Sequence, residues 1–539
     1  MPSYASRRLL LPAAFTALVA AAPGAVPAIG QPNAVAPRDP LITPSVVEYN
    51  PSRTLKLPRD ILSDVKGDIG SVLSGLGSDI PSEVASGVPD FFEDLPIGDS
   101  VQSSLGIDDD QVAALPTQVL NLDPYANWTS EGWNIRFHGN VYKQPNTSEE
   151  KLNDLANIFL VGTDIEDLPE EHQKNARNLT ASIFVLQQGD VEVDTIHLEP
   201  APGQGSSGQP GGGGAEEASG GTQDVQLPYN TTIEGDFDAF VPIKLNGLTP
   251  GNETSKIQRL NTHVEGATLG NGTAYLVPPT GISIVSDIDD ILRVTKIYDP
   301  KEGLLNSFAR DFVPWENMPD IYANWSATVP DVHFIYASTT PEQVSRAYMQ
   351  FIYANYPGGS FDTRPLNFSD VKATLSIRMF LLNKMFETFP QRKFVLVADT
   401  SNSDVMKDYP QLAHDRPDQV QCILLRNTSA TDDSDHFPYD TSGFEGIDQS
   451  KYMFFKHADD LMGLDLAAGQ CYNQSIPQNL TFGYQGLPLG IGDDGAVNGS
   501  ANGGNGGGGE SAASALHFGG LQYSAVFAGF MGMMIYQLM

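Results

Sequence analysis

Asp287-Ile288-Asp289-Asp290 closes a short apolar run, Ile282-Ser-Ile-Val-Ser286. Two carboxylates one residue apart at the end of an extended segment face one pocket, because side chains alternate along a strand. They repel, so the pair needs a cation or a shared proton. A third acid from another strand end would complete a divalent-cation site, and Asp399, with Asp404 beyond it, follows the apolar run Phe394-Val-Leu-Val-Ala398. An all-oxygen set of this kind suits Mg²⁺, which takes few carboxylates and keeps waters for a substrate phosphate. Ser338 closes a further run, Val332-His-Phe-Ile-Tyr-Ala337. Alone, paired acids after a strand are ordinary loop residues; it is the polar group at the end of each separate strand that points to phosphate chemistry. The histidines add nothing: His333 lies inside a strand as a core or face residue, and His414, His436 and His457 have no metal-ligand spacing. The glycine-rich runs lack the Lys-Ser/Thr of a phosphate-binding loop.

These residues need a scaffold that brings strand ends together. After Pro279, apolar runs alternate with helical patterns: Pro341 opens a helix, a second runs from about Asp370 to Thr388, and Val420-Gln-Cys-Ile-Leu-Leu425 is a fourth strand. Strands alternating with helices predict a parallel sheet covered on both faces, which binds its ligand at the strands' C-terminal ends. This α/β unit is expected over 279–482. Ahead of it, period-two patterns such as Trp133–Tyr142, Ala181–Leu186 and Phe237–Ile243 predict a small β-rich, sandwich-like domain over 126–278, with regular structure starting near Gly132. A flexible glycine-rich insertion is expected at 203–222.

The chain has 539 residues, which exceeds one ordinary core and predicts two folded domains plus linkers. Its formal charge of −35 argues against nucleic acid as a partner. Residues 1–30 have the basic, apolar and small-residue order of a secretory signal peptide. Residues 31–125 read as an acidic, partly helical leader, with twelve acids and only Lys66 as a base between Asp60 and Asp110. A disordered Gly/Asn/Ser-rich linker at 483–512 and an apolar tail at 513–539 have the layout of a glycolipid (GPI) attachment signal. Glycosylation sequons at Asn127, Asn146, Asn178, Asn230, Asn252, Asn271, Asn324, Asn367, Asn427, Asn473, Asn479 and Asn498 agree with secretion. So would a disulfide between the two cysteines, Cys422 and Cys471. The expected location is the extracellular face of the plasma membrane or the cell wall, reached through that C-terminal anchor.

Three ordered motifs carry a resemblance. Ser286-Asp-Ile-Asp-Asp290 is similar to the first motif of the haloacid-dehalogenase (HAD) superfamily, D-x-D-x-T/V. Phe334-Ile-Tyr-Ala-Ser-Thr-Thr-Pro341 and Phe389-Pro-Gln-Arg-Lys-Phe-Val-Leu-Val-Ala-Asp399, continuing to Asp404, resemble the actin-patch-associated phosphatidate phosphatase catalytic domain within it. The resemblance covers roughly 279–427 and implies a HAD-like Rossmannoid sheet behind a β-rich domain. It implies Asp287 as the nucleophile that forms an aspartyl-phosphate and Asp289 as general acid, then base. Ser338 would bind a phosphoryl oxygen, and Arg378 stands where the family has a lysine. Asp287, Asp289, Asp399 and Asp404 would hold Mg²⁺. The substrate implied is phosphatidate, or another phosphomonoester. Several positions depart from the pattern: Ile291 cannot supply the hydroxyl of the usual threonine, Arg378 is a planar fork rather than a point charge, and Ala398 replaces a glycine. These departures leave a second expectation open, a degenerate phosphatase fold acting as a cell-surface or wall interaction protein. Arg293, Lys296, Arg310 and Arg364 flank the site in sequence, either to offset an anionic lipid surface or as ordinary surface charges.

Overall fold

The apolar runs that end at Asp287, Ser338 and Asp399 become neighbouring parallel strands in the computed structural model. It describes residues 98–478, apart from 158–159, 161–162, 202–215, 218–219, 268–269, 297–299, 365–376, 402, 429–430 and 432–439. The expected signal peptide, linker and anchor, and most of the expected acidic leader, therefore lie outside the described residues.

Helices α1 (Gly98–Leu105) and α2 (Asp109–Ala114) lead into β1 (Thr117–Asn121), β2 (Tyr125–Thr129) and the twelve-residue β3 (Gly132–Lys143). Regular structure thus starts well before Gly132. Val119 and Leu120 of β1 are buried against the long strand, to which β1 pairs along its whole length. Helices α3 (Glu149–Asn157) and α4 (Glu170–Ile183) follow, then β4 (Leu186–Gln187), β5 (Ile196–Pro200), β6 (Glu216–Glu217), β7 (Gln223–Val225), β8 (Asp236–Pro242), β9 (Gln258–Val264) and β10 (Gly272–Leu276). These ten strands share one hydrogen-bonded, mostly antiparallel network. The end of the expected insertion belongs to it, since β6 pairs with β9. Gly221 adopts φ +99°, and a Cβ there would meet Leu260 at 2.7 Å, so glycine is required for this return into the sheet.

The α/β part runs β11 (Ile282–Asp287), α5 (Pro300–Phe308), α6 (Met318–Thr328), β12 (His333–Pro341), α7 (Glu342–Asn355), β13 (Ser360–Arg364), α8 (Ile377–Thr388), β14 (Lys393–Asp399), α9 (Ser403–Asp415), β15 (Val420–Arg426) and β16 (Tyr452–Phe455). Its six strands are all parallel, in the order β13-β12-β11-β14-β15-β16. The chain winds outward from β11 in one direction, then returns to β14 and winds the other way. β11 is therefore the switch point, and the crevice beyond its C-terminal end is where such a sheet binds ligand.

Both faces of this sheet are buried, which explains the unbroken apolar runs. Ile284, Phe334, Val395, Val397 and Leu424 enter one core, while Val285, Ile335, Leu396, Ala398 and Ile423 enter the other. The β-rich part contributes to each: Leu120, Tyr142 and Phe184 pack into the first, and Tyr125 and Tyr275 into the second. A buried ion network joins the same two parts. Arg136 of β3 donates to Asp238 of β8 at 2.9 Å and to Asp362 of β13 at 2.6 Å, and Lys384 of α8 closes on Asp238. Beside it, the Phe361 amide donates to the Asp123 carbonyl at 3.2 Å, and the Tyr353 hydroxyl to the Asp123 carboxylate at 2.8 Å. The outer edge of β13 is thus covered by the β-rich part.

Candidate active site

Asp287 is the last residue of β11, and its burial follows from the position of that strand at the centre of the sheet. Its Oδ2 accepts a hydrogen bond from Arg378 Nη1 at 3.0 Å, and its Oδ1 accepts from the Ile288 amide at 3.1 Å. Arg378 stands in the first turn of α8 and also hydrogen-bonds Tyr409. Burial pushes the Asp287 carboxyl above its usual range; Arg378 opposes that shift, and the neighbouring Asp289 adds to it. Arg378 keeps its charge against burial because Asp287, with Asp404 and Asp408 farther off, faces it.

Asp399 ends β14, next to β11 in the sheet. Its Oδ1 accepts from the Ser401 amide at 2.7 Å, from the Ser401 hydroxyl, and from Thr428 Oγ1 at 3.3 Å. Burial raises this carboxyl, and the charge of Asp287 raises it further. Asp404, in the first turn of α9, is likewise raised by burial, with Arg378 pulling it back. Asp408, one turn on, reaches about 7 through burial and the charge of Asp404. Ser338 ends up with Arg378 in one recess, walled by Ala337, Leu381, Leu382, Met385 and Tyr409. Asp287, Arg378, Ser338 and Asp399 therefore converge at the switch point, with Asp404 close enough to act on Arg378.

Asp289 is placed differently. Its Oδ1 accepts from Arg293 Nε at 2.8 Å, from Thr295 Oγ1 at 2.8 Å and from Tyr348 at 3.1 Å. Its Oδ2 accepts from the same tyrosine hydroxyl at 2.9 Å. Asp290 takes the left-handed conformation, φ +56°, which aspartate tolerates better than most residues. Its Oδ1 secures the turn by accepting from the amides of Thr295 at 3.1 Å and Lys296 at 2.8 Å, and Arg426 donates to its carbonyl at 2.6 Å. Among the described residues, no three His, Cys, Asp or Glu side chains stand together as a cage for a metal ion. What the donor set does supply is two buried carboxylates, Asp287 and Asp399, each raised by burial, with the charge of Asp287 raising Asp399 further. That arrangement suits a cation held by one or two carboxylates plus water and substrate oxygens, as Mg²⁺ prefers.

Arg293 is neither a surface charge nor an offset for lipid. It is fully buried, and its guanidinium carbon lies 3.9 Å from the Phe312 ring centre and 4.8 Å from that of Tyr348. Arg310 instead pairs with Glu302 at 2.6 Å at the surface. Ala398 does not crowd a turn, since its methyl group lies in the core between the sheet and α8 and α9. His333 is buried within β12, 3.0 Å from Ser360 Oγ. Sequence reasoning missed the Arg293–Thr295–Tyr348 surroundings of Asp289. The four-residue spacing from Asp289 to Arg293 was a local signal; nothing local pointed to Tyr348, on a helix beyond β12.

Comparison with known proteins agrees with this geometry. Residues 282–427 match the family model described as phosphatidate phosphatase APP1, catalytic domain. The chain is also 30% identical over 208 residues to phosphatidate phosphatase APP1 of Saccharomyces cerevisiae (strain ATCC 204508 / S288c), a match covering 36% of this chain and 33% of that protein. The chain thus spans about a third of the length of the curated relative it matches. The matched segment begins at β11 and ends just past β15, so it contains every residue of the convergent site. Over residues 282–427, the α/β part is similar to the phosphatidate phosphatase APP1 catalytic domain.

Proposed function

We propose that the protein is an Mg²⁺-dependent phosphomonoester hydrolase that converts phosphatidate to diacylglycerol through an aspartyl-phosphate. The observation that carries this reading is Asp287 at the end of the central strand, bonded to Arg378 and flanked by Ser338 and Asp399. Asp287 attacks phosphorus. Arg378 holds the attacking carboxylate and, with Ser338, faces the phosphoryl oxygens as their negative charge spreads. Asp289 protonates the departing alcohol and later takes a proton from the hydrolytic water. Asp287 and Asp399, with Asp404 behind them, are the residues that would hold Mg²⁺, whose charge would offset that of the phosphoryl group. Ile291, whose side chain cannot hydrogen-bond, is fully buried in a core, so its departure from the family pattern removes no group from the recess.

The compartment belongs to the same proposal. A secreted, glycosylated enzyme is supported by the Cys422–Cys471 disulfide, with Cα atoms 5.3 Å apart. The exposed sequon asparagines Asn146, Asn178, Asn230, Asn252 and Asn324 support it too. The test is phosphate release from phosphatidate, lysophosphatidate and soluble phosphomonoesters, with and without Mg²⁺. Phosphatidate should be the preferred substrate, activity should vanish on chelation, and Asp287→Asn should fall to background, since uncatalysed monoester hydrolysis is among the slowest reactions known. Wild-type turnover in Asp287→Asn would overturn the aspartyl-phosphate mechanism. A wild-type protein inert toward every ester would favour the surface interaction protein instead.

A further inference from the structure

The phosphatase reading assigns Asp289 a proton-transfer role but says nothing of what aims its carboxylate. The residue that usually follows the second aspartate with a hydroxyl is Ile291 here, and its side chain points into the core. Hydroxyls nevertheless reach Asp289 from two other places: Thr295 Oγ1 at 2.8 Å, from the turn after β11, and Tyr348 at 2.9 and 3.1 Å, from α7. Arg293 Nε adds a charged donor at 2.8 Å and also donates to Thr295 Oγ1 at 3.0 Å, which ties the threonine hydroxyl toward the carboxylate. The arginine cannot swing away. Its far end donates to Ser307 Oγ at 2.9 Å and to the Asn306 carbonyl at 3.4 Å, and its guanidinium carbon lies 3.9 Å from the Phe312 ring centre and 4.8 Å from that of Tyr348. Thr295 and Arg293 are fully buried, and Tyr348 is 2% exposed. Three donors therefore meet on Oδ1, and one of them is shared with Oδ2.

Resting on the phosphatase reading, we infer that Arg293, Thr295 and Tyr348 are positioning residues for Asp289, fixing the direction in which its carboxylate is held. In the first step Asp287 forms a bond to phosphorus as the phosphorus–alkoxide bond breaks, and a proton on Asp289 passes to the alkoxide oxygen. In the second, water forms a bond to phosphorus and gives a proton to Asp289, and the electrons of the breaking phosphorus–Asp287 bond return to Asp287. Thr295 and Tyr348 together supply the hydroxyl contacts that Ile291 cannot make.

An aiming role differs from a purely structural one in how it depends on the leaving group. An alkoxide must be protonated as it departs, whereas p-nitrophenolate leaves readily without a proton. Tyr348→Phe and Thr295→Val remove one hydroxyl each at nearly constant volume, so both should fold; their thermal midpoints are measured beside the wild type. Each should lower the pre-steady-state rate of alcohol release from an alkyl phosphate about tenfold and leave that of p-nitrophenolate release from p-nitrophenyl phosphate within about twofold, because only this first step depends on the leaving group. Equal losses on the two esters, or no loss on either, would overturn the inference. A wild-type protein inert toward both esters would overturn the phosphatase reading, and this inference with it.

Discussion

Arg378 links Asp287, the proposed nucleophile, to Tyr409 on the helix that walls the recess, so its replacement separates charge from geometry. Lysine keeps the charge but cannot span both Asp287 and Tyr409 as a planar fork does. Arg378→Lys should reduce turnover on the order of tenfold, and Arg378→Met by about 10²–10³, the range seen when one electrostatic stabiliser is lost from an active site. The pH profile should move as well. Asp287 must be ionised to attack, and Arg378 is the group that opposes its burial-driven rise. Removing that cation raises the carboxyl further, so the acidic limb of kcat/KM should shift to higher pH in Arg378→Met. Steady-state kinetics between pH 4 and 8 check both effects, and an unmoved limb would show that Arg378 does not govern Asp287.

At the scale of elements, the question is how β12 and β13 are held beside the site. Arg392, just before β14, is fully buried, donates to the carbonyls of Pro278 at 2.9 Å and Ile282 at 2.7 Å and to Ser283 Oγ at 2.9 Å, and so clamps the start of β11. Gly281, at φ +117°, leaves room for that guanidinium, which an added Cβ would meet at 3.0 Å. At the edge, β13 carries Asp362 directly beside Ala337 in register, one residue before Ser338. That buried aspartate is tolerable in a strand because Arg136 reaches across to it. Arg136→Met would leave Asp238 and Asp362 buried without their guanidinium, a loss of about 3–5 kcal/mol by analogy with other broken buried pairs. Urea unfolding should report that loss as a lower midpoint. A change below 1 kcal/mol would mean that water or Lys384 already satisfies both carboxylates.

The whole molecule should unfold as a unit, because both hydrophobic cores draw residues from the β-rich and the α/β parts. Its stability should also depend on the Cys422–Cys471 bond, which closes a separation of 49 residues. On the chain-entropy account that closure is worth about 4 kcal/mol, so reduction under non-denaturing conditions should lower the thermal midpoint, and an unchanged midpoint would count against the bond. Acid should act through two buried histidines. Burial holds His138 and His333 well below the ordinary value of 6.5, and Arg136 and Arg392 respectively add to the effect. The folded state keeps them neutral while the unfolded chain takes up protons, so their contribution to stability is lost as pH falls through about 6.5. Among the described residues, neither ring nitrogen of His138 has a hydrogen-bond partner, so leucine would forfeit no hydrogen bond there. His138→Leu should therefore shrink the stability difference between pH 7 and pH 5 by roughly 2 kcal/mol; an undiminished difference would show that His138 is not a source of acid lability.

The sequence alone determined the chemistry-bearing strand ends. Parallel strands buried on both faces must be apolar throughout, so Ile282–Ser286, Val332–Ala337, Phe394–Ala398 and Val420–Leu425 were legible as runs, and the polar residue after each stood out. Local pattern also marked the α/β alternation and, by residue motif, the family resemblance. It could not show β13, whose Ser-Phe-Asp-Thr-Arg reads as a loop until Arg136, 226 residues earlier, neutralises its aspartate. Nor could it show that β1 begins at Thr117, because a five-residue strand is recognisable only beside the longer strand it pairs with. The same limit applies at the site. Asp287, Ser338 and Asp399 each sit at the end of a recognisable strand, whereas Tyr348 reaches Asp289 from 59 residues away, on a helix whose apolar face looks like any other. Periodicity along a chain reports which residues are buried, and only tertiary packing decides which of the buried polar groups meet.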